Sequence, residues 1–172
     1  MTKQFIATLC ILAVVGVGVG VGAQGANEAP VSATVTAELI TISVASGSVT
    51  YGILPTDTNE DTVSLSQTQV VTNDSNVAVD LEVKSSDAAG GTPWNLAATN
   101  EALDEFTHEF APDGSTWAMF DVNNDIYTSL AGNIAASTGT QDLDLKIKTP
   151  SSVSDNTQKT IIVTVLATKY IP

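Results

Sequence analysis

The chain has one cysteine, one histidine and no arginine in 172 residues, and aromatic side chains make up only 5% of it. Cys10 has no second sulfur to pair with, so disulfides and thiolate metal clusters are excluded. His108 alone cannot furnish the three or four ligands of a zinc centre. A hydrolytic triad would need an oriented nucleophile as well, and no Gly-x-Ser-x-Gly turn is present. Carboxylates are plentiful, but most fall in predicted turns or on wet strand faces, where nothing shields one of them for general-acid work. Six basic residues against 19 acidic ones give a formal charge of −13, which repels nucleic-acid phosphates and anionic lipid alike. The composition therefore predicts a non-enzymatic protein that does not bind nucleic acid and has no obligatory cofactor.

What the chain does have begins at its N-terminus. Lys3 precedes an apolar run from Phe5, and Val21-Gly22-Ala23 satisfies the small-x-small rule for signal-peptidase cleavage. Residues 1–23 thus read as the helix of a signal peptide, directing the protein out of the cytoplasm to an extracellular or cell-surface location. A permanent span needs about 20 apolar residues. Gly and Val alternate here from Gly16 to Gly22, and each Gly weakens a helix by roughly 1 kcal/mol. Leu9 precedes Cys10 and the apolar core continues past it, so a lipid-modified cysteine is not expected. Membrane contact is then confined to the transient signal peptide. Its removal leaves five Lys against 19 acidic residues, a balance of −14, and no thiol at all.

Beyond a small-residue leader at 24–32, residues 33–172 carry the marks of one antiparallel β-sandwich of jelly-roll or Greek-key type. β-Branched residues come in short runs bounded by Gly, Asn, Asp, Ser and Pro. Val77, Val79, Leu81 and Val83 share one face of a predicted strand, with Asp80, Glu82 and Lys84 on the other. Leu143, Leu145 and Ile147 repeat the pattern within Gln141–Lys148. Further strands are predicted over Ala33–Val44, with a parity switch at Leu39-Ile40, and over Val49–Leu54, Val63–Thr72, Trp94–Ala98, Phe106–Phe110 and Thr116–Phe120. Thr160–Thr168 is apolar on both faces and reads as a central strand. Ala97–Glu105 is the one stretch with helical character.

Three groups of residues are candidates for binding. Asp57-x-Asn59-x-Asp61 and Asp121-x-Asn123-x-Asp125 open like a calcium-binding EF-hand loop. Thr62 and Ile126 replace its turn glycine, and Thr68 and Gly132 its closing glutamate, so any Ca²⁺ site would be a looser one between strands. Trp94 and Trp117 follow Gly- and Pro-bearing turns, where an exposed ring would stack on sugar and a buried one would fill the core. Asn73-Asp74-Ser75 is the one N-glycosylation sequon. Strand alternation sets His108 beside Phe106 and Phe110, as a structural core histidine.

Two families of secreted surface proteins resemble parts of this pattern. Asp87-Ala-Ala-Gly-Gly-Thr-Pro-Trp94-Asn-Leu96 is similar to the first motif of WxL cell-wall-binding domains. The second Trp-x-Leu is missing, with Val165-Leu166-Ala167 in its place. The signal peptide leading into a strand, followed by Thr72-Asn73-Asp74-Ser75-Asn76 before an alternating strand, resembles the TasA/camelysin-like matrix and pilus subunits. The first resemblance implies a cell-wall or glycan partner. The second implies a homopolymer built by strand donation, with Val31, Ala33, Val35, Ala37 and Leu39 as inserting side chains. The leading expectation is an extracellular-matrix or cell-surface structural subunit assembling on itself. A wall- or carbohydrate-binding module is the alternative.

Overall fold

A computed structural model describes residues 32–172. The predicted signal-peptide helix and nearly all of the predicted leader lie outside the described residues. Ten strands follow one another as β1 (Ile42–Val44), β2 (Asn59–Asp61), β3 (Gln69–Asn73), β4 (Val79–Ser85), β5 (Asn95–Leu96), β6 (Glu105–Ala111), β7 (Ala118–Met119), β8 (Thr128–Ile134), β9 (Thr140–Lys148) and β10 (Val163–Lys169). The described chain is all-β and sandwich-like, with two sheets around one core. The larger sheet runs β1-β3-β9-β6-β5, with β2 added beside β9 and β7 beside β6; the smaller runs β10-β4-β8. Pairing is antiparallel except between β5 and β6.

Strict alternation explains the strands at the centre. Val79, Leu81 and Val83 of β4 face Phe106, Phe110, Leu143, Leu145 and Ile147 of β6 and β9, and all are buried. Burying each such side chain contributes about 1.5–3 kcal/mol. The rings form a continuous row. Trp94 to Phe106 is 6.4 Å between centroids, Phe106 to His108 6.2 Å, His108 to Phe120 4.9 Å and Phe120 to Phe110 4.9 Å. His108 is thus a core residue flanked by Phe106 and Phe110, as alternation requires.

Where the sequence pattern predicts strands that do not form, side chains have taken over the backbone's partners. Of the predicted strand Ala33–Val44 only Ile42–Val44 is a strand. Just before it, Asn76 uses its carboxamide like a peptide group, accepting from the Leu39 amide at 2.9 Å and donating to the Ala37 carbonyl at 2.8 Å. The Ser75 hydroxyl accepts from the Thr41 amide and donates to the Thr41 carbonyl. Val49–Leu54 forms no strand either. Gln67 pairs both backbone groups of Thr50 through its side chain, and Gln69 takes the Gly47 amide and the Ser48 carbonyl.

The predicted strand Val63–Thr72 begins only at Gln69. Ahead of it the chain folds over Asp144, a buried carboxylate on the outer side of β9 that accepts from the Thr62 and Thr68 hydroxyls at 2.9 and 2.6 Å. Trp94–Ala98 and Thr116–Phe120 shrink to the two-residue strands β5 and β7. Ala97–Glu105 makes no helix, because the buried Asn100 turns inward to the Thr149 carbonyl and Asp104 caps the Ser154 amide. β8 was not expected. It is short of large apolar residues, and its pairing with β4 is broken by register shifts, one of them bridged by Asp80 accepting from the Asn133 amide.

Asn73 joins both sheets. Fully buried at the end of β3, it shares its Nδ2 protons among the Val77, Ile134 and Ala135 carbonyls, each at 3.0 Å, and accepts from the Ser75 amide. Its burial also closes the sequon to a glycosyltransferase in the folded protein. Asn73→Ala removes the donor that these three carbonyls share, leaving only the Gly139 amide on Ala135, and is expected to cost about 2–4 kcal/mol, read as a lower urea midpoint with unchanged slope.

Candidate functional site

The free edge of β10 is the first feature of note. The strand's hydrogen bonds toward β4 fall on even-numbered residues: Thr160 exchanges bonds with Ala89, the Ile162 carbonyl accepts from Ser86, and the Tyr170 amide donates to Ala78. The backbone groups of Ile161, Val163, Val165, Ala167 and Lys169 therefore point away from the sheet. This corrects the expectation of a central strand, since among the described residues β10 ends its sheet. Its two apolar faces have another cause. Ile161, Val163, Val165 and Ala167 pack on the core. Ile162 and Leu166 face outward, 64% and 37% exposed.

Edge strands are usually guarded by charges, prolines, bulges or short length. β1 and β5 are two or three residues long, and β8 is bulged. The run Thr160–Thr168, which takes in all of β10 except Lys169, has no charged residue and no proline.

Beside the start of β10 a cavity of about 990 Å³ opens between the two sheets, walled by Tyr51, Trp94, His108, Ile147, Ile161 and Val163 among others. Around its rim Lys159 is caged. Its ammonium donates to the Gly90 and Thr92 carbonyls at 2.6 Å and to Asp155 at 2.9 Å, and it lies 5.4 Å from the centre of the Trp94 ring. The Thr92 amide, then Lys159 and the Thr157 amide, hold the Asp155 carboxyl far below the usual carboxylate range. Gly91 lies at φ +55° with Asp155 and Thr157 against its α-carbon, so a side chain there would have no room.

Deeper in, Ser85 of β4 lies 2.7 Å from His108 Nδ1 on β6, a polar link between the sheets. Serine and histidine so placed resemble part of a triad, but no carboxylate contacts the ring among the described residues, and His108 Nε2 is buried without a partner.

The candidate calcium residues do not come together. Asp57 accepts from Asn100 and Lys148, both at 3.0 Å, and these contacts hold its pKa down, Asn100 the more strongly. Asn59 and Asp61 sit on β2 opposite Lys148 and Lys146. Asp121 accepts from the Asn123 amide in a turn, and Asp125 reaches only Lys84 at 3.9 Å. Among the described residues no three His, Cys, Asp or Glu side chains converge on a metal-sized site. Trp94 and Trp117 are both half-buried. Lys146 lies 4.7 Å from the Trp117 ring centre, so each indole already carries an ammonium against its face.

Comparison with family models, curated proteins and solved structures returns no match to this chain. Tyr51, Ser85 and Lys159, which shape the region around the cavity, were not singled out by the sequence. Ser85 and His108 are 23 residues apart on different sheets, and no local pattern links them.

Burial keeps the His108 imidazole neutral and lowers its pKa from 6.5 to about 3. The unfolded chain binds this proton near its ordinary pKa and the folded chain only near the lowered one, so between the two the unfolded state holds more protons. The stabilisation is complete above the unfolded value and is lost on acidification, by about 3 kcal/mol at about pH 4. His108→Gln should therefore lose stability more gently than the parent protein as pH falls from neutrality, measured by urea midpoints in a pH series.

Proposed function

We propose that this chain is an exported, non-enzymatic structural subunit of the cell surface or extracellular matrix. In this reading it is a sandwich of jelly-roll type that polymerises when each copy lends its N-terminal segment to β10 of the next. The observation that carries the reading is the edge of β10, uncharged from Val163 to Thr168, whose outward backbone groups have no partner among the described residues. An added strand would satisfy those groups and cover apolar surface at the same time.

The position of the N-terminal segment supports this. Glu38 is tied to Lys169 at 2.6 Å, at the far end of β10 from the cavity. Ala37 and Leu39 are held by Asn76 in their own subunit, which leaves Val31, Ala33 and Val35 as the alternating residues to be donated. A donor leaving near one end of the fold and an acceptor edge running to the other make a head-to-tail contact, which does not close on itself and produces fibres. The glycan-binding alternative has less support, since a lysine lies against each indole ring.

Ala167→Pro isolates the edge. It removes an amide that points away from β4, so the monomer should fold normally while losing the ability to add a strand. In electron microscopy and light scattering, the chain starting at Gln24 should form fibres, whereas Ala167→Pro and a chain starting at residue 36 should stay monomeric with parental circular dichroism. A parent protein that remains a monodisperse monomer, or fibres that persist in the folded Ala167→Pro variant, would sink the proposal.

A further inference from the structure

A strand added to β10 has a direction as well as a place, and the direction decides what is built. In its own subunit the N-terminal segment is tied down at the Lys169 end of β10, where Lys169 donates to Glu38 and Asn76 holds Ala37 and Leu39. The cavity lies at the other end, against Ile161 and Val163. A donated strand parallel to β10 would carry its residue 37 to the acceptor's Lys169. The two subunits would then meet by the ends from which both donors leave, and the exchange would close as a swapped dimer. An antiparallel strand carries residue 37 to the cavity end instead. The acceptor's own donor stays available at its Lys169 end, so the contact repeats without closing.

The order of residues selects the same direction. The outward backbone groups of β10 belong to its odd-numbered residues, whose side chains Val163, Val165 and Ala167 pack on the core. In an antiparallel pair, directly opposite residues can exchange both hydrogen bonds while their side chains share a face. Val31, Ala33 and Val35 opposite those residues would thus bond β10 and also turn their side chains to the core. Pro30 would then fall where its nitrogen points away from β10, the position that needs no N–H. In a parallel pair a bonding residue stands level with one whose own groups point the other way. Core-facing valines would then leave the bonding positions to Pro30, Ser32, Thr34 and Thr36, and the proline would forfeit a bond.

We infer, resting on the strand-donation reading, that the segment lent by a second copy lies antiparallel on β10, with Val35 opposite Val163, Ala33 opposite Val165 and Val31 opposite Ala167. Val35 then stands at the mouth of the cavity, among apolar walls that include Val49, Leu54 and Ile161. The same end carries Ile53, fully exposed, and Ile162, 64% exposed, as apolar surface for the incoming chain to cover. Three of the residues opposed across the pair are valine against alanine or valine, uncharged on both sides.

Paired cysteines read the direction. Cys10 lies ahead of Gln24, so the chain starting at Gln24 has no thiol of its own. In the antiparallel register Thr36 faces Ile162 as a non-hydrogen-bonded pair, about 4.5 Å apart at the α-carbons and within reach of a disulfide. Thr168, six residues along β10, is then about 20 Å from Thr36. A parallel strand reverses the two distances. All three side chains are exposed, so replacing them should leave the fold intact. Fibres of Thr36→Cys/Ile162→Cys, oxidised after assembly, should run as a ladder of covalent multimers on a non-reducing gel, and fibres of Thr36→Cys/Thr168→Cys as monomers. The reverse pattern, fibres in which neither pair joins, or a closed dimer in place of fibres overturns the antiparallel register while leaving strand exchange standing. A parent protein that stays monomeric overturns strand donation itself, and the register with it.

Discussion

Unequal sheet width governs this molecule. The larger sheet presents β3, β9 and β6 inward, β9 and β6 with buried apolar rows and β3 with Val71 between the buried Gln69 and Asn73, while the smaller has only β10, β4 and β8 to cover them. β4 is central and seals its share with Val79, Leu81 and Val83. On the β10 side no further strand among the described residues completes the cover, and the irregular segment through Val49, Tyr51 and Leu54 takes over. An irregular segment packs less evenly than a strand. A cavity survives there, beside an edge whose backbone groups have no partner among the described residues. Both features follow from the same missing strand.

The fold tolerates irregular segments because carboxamides and hydroxyls stand in for peptide groups. Gln67, Gln69 and Asn76 each offer a C=O and an NH₂ in nearly the geometry of a neighbouring strand, and Ser75 does the same with one oxygen. Such pairing satisfies the backbone without extending the ladder. It also costs side-chain entropy that a true ladder does not, so these segments belong at the low end of local stability. Asn73 is the exception, since burial and the three carbonyls sharing its protons make it part of the core.

These substitutions explain how much could be read beforehand. β4, β6 and β9 were legible because period-two alternation reports which face is wet, and in all three the wet face is charged or polar. The same signal in Val49–Leu54 was misleading. Alternation records burial, and Val49, Tyr51 and Leu54 are packed against the core, but it says nothing about whether a backbone partner lies within reach. β8 was lost for the opposite reason, as bulges and small residues erase its period. At the candidate site the setting of His108 between Phe106 and Phe110 could be read locally. Its bond to Ser85 and the grouping with Tyr51 and Trp94 could not, because sheet packing rather than sequence spacing brings them together.

β10 shows the limit of the same signal. Apolar residues on both faces suggested a strand covered on both sides, and the structure has it at an edge with Ile162 and Leu166 exposed. An edge of this kind is an aggregation hazard unless something restrains it. Here the restraint is electrostatic and lies outside the strand. A charge of −13 spread over the chain makes copies repel out to about a Debye length, about 8 Å, while strand pairing acts only at contact. Repulsion of that range penalises random collisions in every orientation. Pairing rewards only the one alignment that brings an alternating, uncharged segment onto an uncharged edge. The segment from Val31 to Val35 has no charged residue, and neither does Thr160–Thr168. In the proposed strand donation these two uncharged stretches of an acidic chain are suited to each other, and the charge around them supplies the selectivity that the bare edge lacks.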